Sequence, residues 1–90
     1  MYKLEFTNQY LKDLKLARKR NLDESKLNAV IQMLLTVNDL PEKYKDHKLT
    51  GKMKGLNECH ITPDWLLIYQ KSAIIKLITL IRTGSHSDLF

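Results

Sequence analysis

KGLNECHITPDWLLIYQKSAIIKLITLIR, residues 54–82, is the stretch that decides the fold. It holds three runs of strand-forming residues, Leu56 to Ile61, Trp65 to Tyr69 and Ile74 to Ile81, parted by Thr62-Pro63 and by Lys71-Ser72-Ala73. Aliphatic and aromatic runs bounded by turn formers predict a three-stranded meander. The last run is apolar on both faces apart from Lys76 and Thr79, which predicts a central strand covered by helices on one side and partly on the other.

Upstream, Met1 to Phe6 alternates, with Tyr2, Leu4 and Phe6 at period two, the pattern of a first strand. Thr7 is placed to cap a helix in which Tyr10, Leu11, Leu14 and Ala17 form one face and Lys12, Lys15 and Lys19 another, ending near Asn21. Asp23 offers a second cap. After it, Leu27, Val30, Ile31, Leu34 and Leu35 make the strongest helical stripe in the chain, so the two helices are expected to form a hairpin. Asn38 to Pro41 breaks that pattern, and the stretch to Gly51 has neither period, so it reads as a lysine-rich surface loop. After Arg82 comes a polar turn, Thr83-Gly84-Ser85, and then an apolar terminus expected to dock back on the sheet. The order predicts an α+β fold: an N-terminal strand and a two-helix hairpin packed on a mainly antiparallel sheet of about four strands. Ninety residues are expected to form a single domain, 1–90, since so short a chain cannot bury two cores.

Fifteen Lys plus Arg against ten Asp plus Glu give a net charge of +5, which favours a polyanionic partner, either nucleic acid or an acidic protein. One cysteine, Cys59, leaves no intramolecular disulfide and fits a reducing, cytoplasmic location. The charged alternation at the start lacks the continuous apolar run of a signal or membrane span. Gly51, Gly55 and Gly84 fall in or beside turns and form no phosphate loop, so no nucleotide cofactor is expected.

His47, His60 and His86 fall at strand ends or in loops, where a sheet can hold them toward one cleft. Near neutrality imidazole both accepts and donates a proton, which is what attack of a ribose 2'-hydroxyl on its own phosphate requires. Asp64 is suited to orient a histidine or share in proton transfer, and Arg82 has the planar fork that fits a phosphate. Lys45, Lys48, Lys52 and Lys54 extend the positive surface along an RNA backbone, and Trp65 and Phe90 offer rings for stacking. Each has a plainer reading. Trp65 reads first as core, Phe90 equally as core, Asp64 as turn chemistry, an isolated His47 or His60 as a structural residue, and the lysines as solvated surface. A metal site from His47, Cys59, His60 and His86 is disfavoured: the adjacent Cys59 and His60 point to opposite strand faces, and no zinc-type spacing occurs.

Taken together, Tyr44 to Gly51, His60 to Tyr69 and Arg82 to Phe90, with Gln9 to Asp13 and the helical pair, resemble the YafQ toxins of the RelE superfamily over nearly the whole chain. The resemblance implies a RelE-like fold and a type II toxin that enters the ribosomal A site and cleaves mRNA there; the acid-base chemistry of that cleavage demands no metal. It also implies a DinJ-like ribbon-helix-helix antitoxin, contact with operator DNA only through that antitoxin, and no membrane. By position it assigns His47, His60, Asp64 and His86 to proton transfer and orientation, Arg82 to the phosphate and Phe90 to substrate positioning, with Trp65 matching the family's tryptophan. Lys52 to Asn57 departs most from the family pattern. Two other readings stay open: a non-catalytic RNA-binding or antitoxin-binding corepressor module, and a metal-dependent hydrolase built on the histidines and Cys59.

Overall fold

The computed structural model describes residues 2–36 and 39–90; Met1 in the first alternation and Asn38 at the expected helix break lie outside them. The order is β1 (Lys3–Phe6), α1 (Asn8–Lys19), α2 (Glu24–Thr36), a 3-10 turn (Glu42–Tyr44), β2 (His47–Lys48), a second 3-10 turn (Gly51–Met53), β3 (Asn57–Thr62), β4 (Trp65–Ser72), β5 (Leu77–Gly84) and α3 (His86–Leu89). The strands form one sheet in the order β1-β5-β4-β3-β2. β1 runs parallel to β5, and the other neighbours are antiparallel.

Local chemistry sets the helix ends. Thr7 adopts an extended backbone and its hydroxyl accepts from the Tyr10 amide, while the same hydroxyl donates to the Ile81 carbonyl at 2.7 Å, joining the helix start to β5. At the other end Asn21 takes a left-handed backbone (φ 57°), with Asn21 N–H on the Arg18 carbonyl and Leu22 N–H on the Ala17 carbonyl. That paired closure ends a helix at a residue that tolerates positive φ. Asp23 then accepts from the Ser25 amide as the expected cap of α2, and Arg18 pairs with Glu24 across the turn.

The core lies between the helices and one sheet face. Tyr10, Ala17, Leu27, Val30 and Leu34 pack against Cys59, Ile61, Trp65, Leu67, Tyr69, Ile78 and Leu80. The strand members recur at every second residue, so alternation sends Glu58, His60, Leu66 and Ile68 to the opposite face.

The expectation of about four strands is corrected to five. The added strand is β2, inside the stretch read as loop; its two residues pair with Asn57 and Glu58, too short a run to leave a period in the sequence. The third meander run starts later than expected, at Leu77. Ile74 and Ile75 belong instead to the turn that lets Ser72 pair with Leu77, and Ile74 is 94% exposed. Lys76, at φ 54°, closes that turn. Strand β5 also runs further, to Gly84, so Thr83 and Gly84 are strand and not turn, and the terminus forms the short helix α3.

Candidate active site

Sheet register brings distant residues into one row. His47 pairs with Glu58, Glu58 with Ile68 and Ile68 with Arg82, and cross-strand partners share a face, so this row crosses β2, β3, β4 and β5 on the side away from the helices. In the next row His60 pairs with Leu66 and Leu66 with Gly84, two residues before His86.

Glu58 stands at the centre. Its Oε1 lies 3.3 Å from Nε2 of His47 and 3.9 Å from Nε2 of His60, and its side chain is buried. Its Oε2 is buried with no hydrogen-bond partner among the described residues. The other ring nitrogens face carbonyls: Nδ1 of His47 is 2.7 Å from the Lys45 oxygen, and Nδ1 of His60 is 3.3 Å from the Pro63 oxygen. A carbonyl only accepts, so each Nδ1 donates there. Both nitrogens of His47 thus face acceptors.

His86 completes the cluster from the first position of α3. Its ring centroid is 5.8 Å from that of His60 and 6.4 Å from that of Phe90. Its Nδ1 lies 3.4 Å from Oδ1 of Asp64, in the turn between β3 and β4. Oδ1 of Asp64 is also 3.4 Å from the His86 amide, so both contacts are long. A fastening at the back holds α3 in place: Ser85 and Asp88 form a reciprocal capping box, and Asp88 takes both terminal nitrogens of Arg20 at 2.6 and 3.2 Å. The Arg20 hydrogen bonds, with those from Ser85, hold the Asp88 carboxyl well below the usual range.

Arg82 is tied down. Its Nε and Nη2 donate to the two oxygens of Asp13, each at 3.0 Å, and Asp13 also accepts from the Thr83 amide and from Gln9. β1 ends before this point, so Asp13 of α1 serves the edge of β5 that the strand no longer covers. Burial raises the Asp13 carboxyl, but the Arg82, Gln9 and Thr83 hydrogen bonds outweigh it and leave it below its ordinary value. The guanidinium keeps a third nitrogen outside the pair with Asp13 and is a positioned cation, not a free one.

Trp65 lies in the core, the first of its two readings. It is 3% exposed, and its ring N–H donates to the Thr83 hydroxyl, which itself donates to the Leu66 carbonyl. This burial supports the core reading of Trp65 over stacking on a base. Phe90, by contrast, is 63% exposed beside His86, so core packing is not its role. Lys45 is exposed next to His47, Lys48 follows that histidine on β2, and Lys52 and Lys54 are exposed in and just after the second 3-10 turn. Cys59 is buried on the helix side and burial pushes its thiol up to about 12, so it takes no part in the histidine cluster. Glu58, His60 and His86 do bring one ligand atom each within 4.8 Å of one another, close enough to chelate a transition metal.

Glu58 is the residue that sequence reasoning missed. The available signal was its place two residues before His60 in a strand, which puts a carboxylate beside an imidazole on one face.

The family model for the bacterial toxin of type II toxin-antitoxin system, YafQ, matches residues 2–90, and the chain belongs to that family. It is 44% identical over 88 residues to the mRNA interferase toxin YafQ of Escherichia coli K12, covering 97% of this chain and 94% of that protein. The crystal structure of YafQ from E. coli BL21(DE3) superposes with a TM-score of 0.93 at 40% identity, covering 100% of this chain and 99% of that one. YafQ in the E. coli DinJ–YafQ complex matches with a TM-score of 0.91 at 41% identity, over 100% and 99% of the two chains. Among the described residues no helix is long and apolar enough to cross a membrane.

Proposed function

We propose that the chain is an endoribonuclease, an mRNA interferase that cleaves message on the ribosome by acid-base chemistry and is held inactive by a DinJ-like antitoxin. The observation that carries this reading is the convergence of three imidazoles from β2, β3 and α3 around Glu58, with Arg82 in the same row. Relatives named as mRNA interferases, and one solved with DinJ, support it. Operator DNA is then reached only through the antitoxin, and the cytoplasm is where message and partner both lie.

His86 acts as the base. With Nδ1 directed at Asp64, its Nε2 accepts the proton of the 2'-hydroxyl as that oxygen attacks phosphorus. His60, backed by Glu58, gives a proton to the departing 5'-oxygen, leaving a 2',3'-cyclic phosphate and a 5'-hydroxyl. His47, held between Glu58 and the Lys45 carbonyl, and the free edge of Arg82 neutralise charge on the phosphoryl oxygens. Phe90 supports a base beside His86, and Lys45, Lys48, Lys52 and Lys54 draw in the backbone.

Purified protein with ribosomes and message tests this. The wild type cleaves with or without chelator, and folded His86→Ala cleaves slower by roughly two to four powers of ten. Full activity in that variant, or binding without cuts by the wild type, defeats the reading. Loss of cleavage in chelator transfers it to a metal-dependent hydrolase at Glu58, His60 and His86.

A further inference from the structure

Among the described residues β2 covers β3 only at Asn57 and Glu58, so the remaining edge, Cys59–Thr62, has no strand neighbour on that side. Beside that edge lies a cleft of about 400 Å³, walled by α2, the first 3-10 turn and the end of β3. Its cations are Lys26, Lys43 and Lys45; Tyr44 and Pro63 supply flat apolar surface, and His60 forms the wall shared with the imidazole cluster. No lining residue is acidic. Ten carboxylates are spread through the chain, and the two neighbouring cavities each include Asp39 and Asp46, so this separation of charge is local.

Three lysines with no acidic residue in the lining fit an anion, and the half-buried Tyr44, with Nζ of Lys43 5.1 Å over its ring, and Pro63 fit a planar ring whose phosphate meets that lysine. A volume of this size accepts one nucleotide. An RNA whose scissile phosphate sits between His60 and His86 must continue past His60, and the cleft begins there.

We infer that this cleft is a nucleotide subsite: it takes the nucleotide next to the scissile phosphodiester, with its phosphate on Lys26, Lys43 and Lys45 and its base against Tyr44 and Pro63. The inference rests on the nuclease reading of the imidazole cluster. It adds Lys26, Lys43 and Tyr44, on elements outside that cluster, to the substrate-binding surface. The lysines supply charge that any sequence satisfies, whereas the ring contact discriminates among bases.

The test is binding of a fluorescein-labelled 2'-O-methyl RNA hexamer, which cannot be cleaved, followed by anisotropy over a salt series. Lys26→Glu with Lys43→Glu weakens binding about tenfold or more and flattens the salt dependence by about one contact per lysine. Ala29→Trp, which fills the cleft from α2 without changing charge, weakens binding as well. Lys12→Glu with Lys19→Glu alters net charge equally on α1 and leaves affinity within about twofold of wild type. Equal loss in both charge-reversal pairs, unchanged binding in the cleft variants, or no binding by the wild type overturns the subsite. So does weakened antitoxin binding with RNA affinity intact, which assigns the cleft to an acidic protein segment. Wild-type cleavage of ribosome-bound message is scored separately. Cleavage without a cleft effect rejects the subsite alone, and no cleavage rejects the parent reading.

Discussion

Nε2 of His47 lies 3.3 Å from Oε1 of Glu58, although the two residues come from different strands and neither shares a sequence motif with the other. The carboxylate is buried and the imidazole half open, so Glu58 holds the ring from beneath. Its other neighbour is His60, which makes one buried charge the common backing of two catalytic candidates.

Glu58→Gln keeps the shape and removes the charge. Cleavage on ribosomes should fall on the order of a hundredfold, because orientation and electrostatic support of both rings are lost together. Glu58→Leu should fold, with melting temperature equal to or above wild type, because the buried carboxylate has an unsatisfied oxygen that the apolar side chain removes. A variant with wild-type turnover would remove Glu58 from the machinery.

Asp13 accepts four hydrogen bonds at a position 8% exposed. Asp13→Ala leaves Arg82 and the Thr83 amide without that partner and should cost about 2 to 4 kcal/mol in denaturant unfolding. The folded carboxyl titrates below its unfolded value of about 3.9. Its contribution is therefore full above that pH and is lost as pH falls through the lower folded value. The stability gap between wild type and Asp13→Asn should narrow below about pH 4; a gap constant to acid pH would show that charge is not the cause.

Gly84 precedes the cap of α3, and a Cβ there would lie 2.9 Å from Cβ of Asp88. Gly84→Ala should push Asp88 from its capping position, displace His86 and lower cleavage at least tenfold, while costing only about 1 to 3 kcal/mol of stability. Chemical shifts of the α3 amides would report the displacement. Unchanged shifts with full activity would show that the contact relaxes.

Trp65→Phe removes the indole N–H from the Thr83 hydroxyl and some buried area. Unfolding free energy should drop by about 1 to 3 kcal/mol, while cleavage below the melting range stays close to wild type. A large loss of activity without loss of stability would restore a substrate role for the ring.

The sequence made most of this architecture readable because its elements have clear edges: a threonine cap, an asparagine at a left-handed position, and apolar stripes of 3.6 and of two. It misled where tertiary context decides. Ile74 and Ile75 are strand formers, yet the pairing of Ser72 with Leu77 forces them into an exposed turn. His47 and Lys48 are too few to show a period, and their strand exists because β3 offers an edge. For the site, the three histidines were visible as residue types, but Glu58 was not, since an acidic residue in a strand looks like ordinary surface until register places it under His47. Arg82 was legible as a cation and not as half of a bonded pair, because Asp13 is remote in sequence and meets it only after α1 crosses β5.

The parallel pairing of β1 with β5 joins the beginning of the chain to the strand that leads into His86. Closing so long a loop comes late in folding, after the nearer hairpins. A nascent polypeptide paused before that point carries His47, Glu58 and His60 but neither Arg82 nor His86. Topology thus withholds the complete residue row until the last strand is made.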